Sequence, residues 1–388
     1  MSTATDSSAI EPNVEVAPTE PEANKLFRMC IKYKGSDLHL KVGMPPSMRL
    51  AGVLRQMQLP PLTASDMERL MYPLLTPRQR GILDEEGGAD FAHIIYDGDT
   101  ETRFRVNLFK QRGRLSLVAR RVNNKIPTFE DLHLPAVLAE ITQYDQGIII
   151  LAGVTGSGKS TTIASMLQYV NQRERMHIVT IEDPIEYTFK DDKSIINQRE
   201  IGIDVLNWDI ALKHAVRQDP DIILVGEMRD RETFSAAMHA AETGHLVFGT
   251  IHAGTAPSTI SRLLDLFPRE MHAPLRQSLA FNLKAVVAQK LLPTTKEWAD
   301  KGVGRVPTNE IMRINPTVKK LILSEEDTKL GDAIRIGKDE GMLDFTESLR
   351  LLVVGEKIER ATAFEVAPSP EALKMALKGI TINQPGIL

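Results

Sequence analysis

The segment Gly153-Val-Thr-Gly-Ser-Gly-Lys159-Ser160 constrains this chain more than any other. It fits G-x-x-x-x-G-K-[ST] and stands between an apolar run, Gly147–Ala152, and a helix-forming run, Lys159–Asn171. Glycines let the backbone curl until several N–H groups converge on one oxyanion. The following helix adds roughly half a positive charge at its N-terminus. Lys159 supplies a full charge for β- and γ-phosphates, and the Ser160 hydroxyl is a hard ligand for Mg²⁺, with Thr161 adjacent. Gly153, Thr155, Gly156, Ser157, Gly158, Lys159, Ser160 and Thr161 are therefore the candidate residues for holding ATP with its Mg²⁺.

The residues around the loop alternate strand and helix. Strands are expected at Gly147–Ala152, His177–Ile181, Asp221–Val225 and Leu246–Ile251. Helices are expected at Lys159–Asn171, Trp208–Arg217 and Arg231–Ala241. Continuously apolar strands separated by amphipathic helices indicate a doubly wound parallel sheet of the α/β class. After Thr255 the pattern predicts helices at Ala256–Leu266, Pro274–Leu291 and Leu343–Leu352.

A site that hydrolyses a nucleotide needs an acid on a neighbouring strand. Asp221-Ile-Ile-Leu-Val-Gly-Glu227 supplies one: four apolar residues cross the core, Gly226 permits a close approach, and Glu227 emerges at the carboxyl edge. A carboxylate there orients or deprotonates the attacking water. Ile181-Glu-Asp-Pro-Ile-Glu186 places three carboxylates at another strand end, where Mg²⁺ or a basic group would relieve their repulsion. Glu182 and Glu186 are the candidates for positioning metal or water, and Ser160 with Glu182 for the metal itself. His252 ends the strand Leu246–Ile251, close to where a γ-phosphate would lie. A lone histidine is as often a structural hydrogen-bonding residue as a sensor.

Upstream lies a different composition. The first 25 residues hold five acids (Asp6, Glu11, Glu15, Glu20, Glu22) against Lys25, which accounts for the whole net charge of −4. Residues 1–24 read as a disordered acidic tail. The stretch 25–123 alternates strand-like pieces with a helix-like piece at Ala64–Tyr72, capped by Thr63, an α+β pattern. Residues 124–134 read as a linker, 135–366 as the nucleotide-binding domain with a helical C-terminal part, and 367–388 as a C-terminal tail. One cysteine, Cys30, excludes disulfide scaffolds and cysteine-rich zinc sites within the chain. No basic residue precedes Lys25 and no apolar run approaches bilayer length, so the expectation is a cytoplasmic protein without membrane insertion.

Residues 101–125 hold eight Lys or Arg and one acid. Strand periodicity puts Arg103, Arg105 and Asn107 on one face, with Phe104, Val106 and Leu108 on the other. A second strand ending in Arg120-Arg121 would complete a basic hairpin. Three readings stand: a solvated cationic face, a nucleic-acid surface, or arginines delivered in trans to a neighbouring subunit's phosphates. Balanced charge and the lack of interleaved aromatics weigh against nucleic acid. An arginine in trans accelerates phosphoryl transfer by roughly 10³–10⁵.

Several long motifs in one order resemble those of the type IV pilus retraction ATPases, within the secretion-ATPase superfamily. They are Ser36-Asp-Leu-His-Leu-Lys-Val-Gly-Met-Pro-Pro, the phosphate loop extended as G-S-G-K-S-T-T, Thr180–Glu186, Asp219–Asp230 and Ala241–His252. The resemblance covers about Lys25–Leu352. It implies a RecA-like P-loop motor domain preceded by a smaller α+β, PAS-like domain, and a homohexameric ring. It implies that Arg103, Arg105 and Arg120 reach the nucleotide, with Glu227, Glu182, Glu186 and His252 catalytic. The implied function is an ATPase motor of pilus retraction and twitching motility, docked on an inner-membrane platform protein. Departures are Val154 for a usual proline, Ala253-Gly-Thr-Ala after His252, and Thr317-Val-Lys-Lys-Leu-Ile-Leu-Ser324 where retraction ATPases carry A-I-R-x-L-I-R-E. The last leaves open an accessory (PilU-like) motor working with a paralogous retraction ATPase; a RecA-like nucleic-acid translocase is the further alternative.

Overall fold

The computed structural model describes residues 20–98 and 100–380. Most of the expected acidic tail and the last eight residues lie outside the described residues. The chain divides into two units, one ending at Val122 and the other beginning at Asn123.

In the first unit, β1 (Asp37–Lys41), β2 (Ser47–Leu50), β3 (Val53–Gln56), β4 (Gly88–Asp97), β5 (Thr100–Gln111) and β6 (Arg114–Arg121) form one sheet in the order β3-β2-β1-β6-β5-β4. Every neighbouring pair is antiparallel. Phe104, Val106 and Leu108 of β5 are fully buried, as the alternation requires. They join Phe27, Met67 and Leu83 from the helices Asn24–Lys32, Ala64–Met71 and Pro77–Glu86 in one core. Thr63 starts the second of these with a capping box, its hydroxyl accepting from the Asp66 N–H.

The opposite face of this sheet carries charged side chains beside Ile94, Phe109 and Val118. Register aligns Asp37 of β1 with Arg120 of β6, and Arg120 with Arg105 of β5. Arg120 Nε donates to Asp37 Oδ1 at 2.8 Å, and Asp37 is almost wholly buried. Arg105 is exposed and Arg103 half-buried. The basic hairpin of the sequence reading is therefore β5–β6, with one of its arginines tied to a carboxylate.

The second unit holds β7 (Gly147–Ala152), β8 (His177–Glu182), β9 (Ile195–Glu200), β10 (Ile222–Val225), β11 (Leu246–Ile251), β12 (Leu283–Pro293) and β13 (Arg305–Arg313), in the order β13-β12-β7-β11-β10-β8-β9. All neighbours are parallel except β12 and β13. Alternate residues of β7 enter two separate cores: Ile148, Ile150 and Ala152 on one face, Ile149 and Leu151 on the other. A strand covered on both faces is continuously apolar for that reason.

Three sequence expectations change. The helix expected over 274–291 ends at Asn282, and Leu283–Pro293 is strand β12. The buried apolar run Ala285–Ala288 has no periodicity that separates helix from strand, and here β7 on one side and β13 on the other decide the matter. β9 and β13 fill the sheet's two edges, β9 carrying polar Asn197, Gln198, Arg199 and Glu200 that mask its strand character. The stretch expected as a tail from 367 contains the helix Pro370–Leu377, whose Leu373 is buried with Leu292, Val306 and Leu349. Phe129, inside the expected linker, is buried in the second unit and stacks on Tyr169, centroids 5.2 Å apart. Among the described residues no helix is long and apolar enough to cross a membrane.

Candidate functional site

The carboxyl ends of β7, β8, β10 and β11 surround a cavity of about 510 Å³ in the second unit. Thr155, Gly156, Ser157, Gly158, Lys159, Ser160 and Thr161 line one side; Glu182, Glu186, Glu227, Arg229 and His252 line the other. This is the edge where open parallel sheets bind ligands. Gly153 stands behind the loop at φ +155°, and a Cβ there would lie 2.4 Å from Ser157 Oγ. Gly158 takes φ +89° as the residue preceding the helix Lys159–Asn171, a left-handed conformation that only glycine adopts without cost.

Lys159 is folded back on its loop. Its ammonium donates to the Gly153 carbonyl at 2.7 Å and the Val154 carbonyl at 3.2 Å. Burial lowers its pKa, and the charges of Glu227 and Glu186 oppose that shift. Ser157 Oγ is buried without a hydrogen-bond partner. The loop thus places an ammonium at the cavity and keeps the Ser157 hydroxyl buried beneath it.

Glu227 sits where β10 and β11 are laced together. Thr250 Oγ1 donates to the Gly226 carbonyl at 2.6 Å, and the Met228 N–H donates to the Thr250 carbonyl at 2.9 Å. A Cβ on Gly226 would lie 3.1 Å from the Ile181 carbonyl, a tight contact that a larger residue meets only if β8 gives by a few tenths of an ångström. His252 Nε2 lies 3.0 Å from Glu227 Oε1, and Arg229 donates to Oε2 at 2.7 Å. The Arg229 guanidinium, with His252 and Lys159 nearby, holds the Glu227 carboxyl below its ordinary range against the effect of burial. Glu227 is therefore ionised at neutral pH.

Glu182 behaves oppositely. Burial pushes its pKa up to about 7, although Thr180 Oγ1 donates to it at 2.7 Å, Gln198 Nε2 at 3.2 Å, and the Glu186 N–H also bonds it. The two acids face one cavity with their affinities for protons driven apart, the pattern that separates a charged group from a proton-exchanging one. Glu186 is exposed at the rim.

The cavity's lining comes from the second unit. Arg103, Arg105 and Arg120 belong to the first, on the face described above. Arg229, Tyr187, Gln198 and Gln289 escaped the sequence reading. Arg229 follows Glu227 by two residues, a spacing that could have flagged it. Tyr187 hydrogen-bonds Thr161 across the cavity mouth, oxygens 3.0 Å apart, with no sequence signal beyond its place after Glu186.

A glycine-rich loop between a central parallel strand and a helix, opposed by acids from the next strands, defines a phosphate-loop nucleotide-binding protein of the α/β class. Comparison with known proteins carries this further: the chain belongs to the Type II/IV secretion system protein family, whose model matches residues 13–336. It is 40% identical to the type IV pilus retraction ATPase PilT of Pseudomonas aeruginosa over 350 residues, covering 90% of this chain and 99% of that one. It is 36% identical to the type IV pilus ATPase PilU of the same organism, covering 92% and 91%. A crystal structure of the pilus retraction motor PilT with bound ADP superposes with a TM-score of 0.81 at 39% identity, covering 90% of this chain and 98% of that one. The fold class expected from the sequence, α/β with a smaller preceding domain, is the fold of that structure.

Proposed function

We propose that this chain is a Mg²⁺-dependent ATPase motor of type IV pilus retraction, acting as a cytoplasmic homohexamer on an inner-membrane platform protein of the pilus machine. One observation carries the chemistry: an ionised Glu227, locked between His252 and Arg229, facing Lys159 across a single cavity. The pilus assignment rests on the similarity to PilT and PilU over nine-tenths of the chain.

In this reading the loop N–H groups and Lys159 take the phosphates of ATP. The ammonium exchanges the Gly153 and Val154 carbonyls for β- and γ-phosphate oxygens. Mg²⁺ fits the donors present: Ser160 Oγ and the Glu182 carboxyl are hard oxygen ligands, and this ion takes one or two of them beside phosphates and waters. When bound it neutralises phosphate charge and orients the γ-phosphoryl group. Each Glu227 oxygen makes one contact and keeps acceptor capacity for the attacking water when nucleotide enters. His252 then reports the γ-phosphate to its strand, and Glu186 sits at the rim to help order water. Arg103, Arg105 and Arg120 serve a neighbouring subunit's nucleotide, stabilising charge that develops on the transferred group. ATP binding closes adjacent subunits, and phosphate release reopens them because charge-assisted contacts vanish.

Glu227→Gln is the direct test. It should lower kcat by about 10²–10⁴ while an ATP analogue still binds. Wild-type turnover in this variant would remove Glu227 from the mechanism.

A second reading, an accessory motor, is favoured by Thr317–Ser324. The helix Pro316–Leu323 buries Val318, Leu321 and Ile322 and leaves Lys320 and Leu323 exposed. The family sequence quoted above places an arginine where Leu323 stands. Expression in cells stripped of their other retraction ATPases separates the two: an autonomous motor restores retraction, an accessory one does not.

A further inference from the structure

The phosphate loop leans on a strand that carries no recognised motif. β12 runs beside β7, pairing Ala288 with Ala152, and the next residue, Gln289, lies against the loop. A Cβ on Gly153 would lie 2.6 Å from the Gln289 carbonyl, and one on Gly158 would lie 2.8 Å from Gln289 Nε2. The side chain is 2% exposed and makes three hydrogen bonds. Nε2 donates to the Ser157 carbonyl at 2.7 Å. Oε1 accepts from Thr162 Oγ1 at 2.9 Å and from Asn309 Nδ2 at 2.9 Å.

We propose that Gln289 is the positioning residue that aims the phosphate loop: by holding the Ser157 carbonyl it turns the Gly158 N–H towards bound phosphate. In a trans peptide unit the C=O and N–H point in opposite directions. With the Ser157 carbonyl drawn towards β12, the N–H of Gly158 faces away from β12, into the cavity that Gly158 lines. The same amide holds Thr162 in the first turn of the helix that follows, so one side chain sets both the end of the loop and the start of the helix.

Its own orientation is determined. A flipped amide would set NH₂ against the Asn309 NH₂ and oxygen against the Ser157 carbonyl. Asn309 is the cross-strand partner of Gln289 on β13, and its N–H donates to Ser348 Oγ at 3.1 Å, which also accepts from Thr308 Oγ1 at 2.8 Å. Gln289, Asn309, Thr308, Thr162 and Ser348 are all buried. A buried polar network with its partners in place is rigid, and that rigidity suits a loop whose donors must be aimed before the ligand arrives.

The proposal rests on nucleotide binding at this loop, and its test separates the two. The dissociation constant of a fluorescent ADP analogue is measured for the full chain, wild type against Gln289→Leu, Gln289→Glu and Asn309→Ala, between pH 6 and 8.5, beside thermal melts. The Leu variant should bind roughly tenfold more weakly or worse, because the loop carbonyl and the Thr162 hydroxyl lose their partner. Asn309→Ala should act in the same direction but less. Glu is the discriminating variant. Ionised, it turns a second acceptor on the Ser157 carbonyl; protonated, it presents an O–H in place of the amide N–H. Its affinity relative to wild type should therefore recover as pH falls, and burial keeps that titration near neutrality. Wild-type affinity in the Leu variant, or a Glu-to-wild-type ratio flat with pH, overturns the proposal. If the Leu variant does not fold, the pH dependence of that ratio decides alone. Failure of the wild type to bind ADP would instead remove the nucleotide reading itself.

Discussion

The two sheets of this protein solve the same problem differently. The antiparallel sheet of the first unit buries one face under helices and gives the other to charged side chains, among them Asp37, Arg105 and Arg120. The central strands of the second unit's sheet are covered on both faces, so their faces are taken up by packing. Function there moves to the strand ends, where loops after β7, β8, β10 and β11 meet in one cavity. The lesson concerns completeness. The parallel sheet's edge gathers a glycine-rich loop, a lysine and acids within one unit, whereas the arginine face presents Arg105 to solvent and pairs Arg120 with Asp37.

The sharpest way to break that contrast is Lys159→Ala. If the parallel edge is the active centre, hydrolysis falls below detection and nucleotide retention is lost; full turnover would end the assignment. Next comes Arg105→Ala, which asks whether the antiparallel face is more than solvated surface. Delivered in trans, this arginine should be worth about 10³-fold in kcat with folding intact. An unchanged kcat in the assembled ring would return Arg105 to an ordinary exposed charge.

A smaller effect concerns the Glu182 carboxyl, pushed up to about 7 by burial. Below that pH it is protonated and binds a cation poorly. Apparent Mg²⁺ affinity of the wild type, read from turnover at limiting Mg²⁺, should rise as pH increases through 7. The midpoint should move lower as Mg²⁺ is raised. A flat profile would argue that the ion is held without Glu182.

The smallest effect is on stability and lies away from the cavity. Glu310 of β13 is buried, and the Ala256 N–H donates to its Oε2 at 2.6 Å; burial lifts its pKa to about 7. Between about 4.5 and 7 the folded chain holds a proton that the unfolded chain has lost. Stability from this group is therefore full at low pH and falls as pH rises across that window. Glu182 adds the same slope, so Glu310→Gln should remove part of the decline in melting temperature between pH 5 and 8, a few degrees at most. An identical decline in the variant would show that Glu310 titrates as an ordinary carboxyl.

Legibility in the sequence followed how local each signal is. The glycine-rich loop and the acid after Ile222–Val225 could be located because each lies in one unbroken string, and the structure places both on one cavity. So could the arginine face of β5, because period-two alternation names a face without naming its surroundings. The helix expected over 274–291 failed because Ala285–Ala288 is continuously buried, and its form depends on strands far away in sequence. Arg229 stands two residues from Glu227, but only the structure shows its guanidinium turned back onto that carboxylate.

From its sequence alone the glycine-rich loop is settled: glycines that permit left-handed backbone, a lysine and a hydroxyl follow one another in a single string. Tertiary structure decided how that loop is held and how the acids facing it are charged. It brought Gln289, more than a hundred residues downstream, against Ser157 and Thr162. It also drove Glu182 and Glu227 to opposite proton affinities by burying one and pairing the other. The physical reason is that desolvation and charge pairing depend on what packs within a few ångströms, and residues close in space need not be close along the chain.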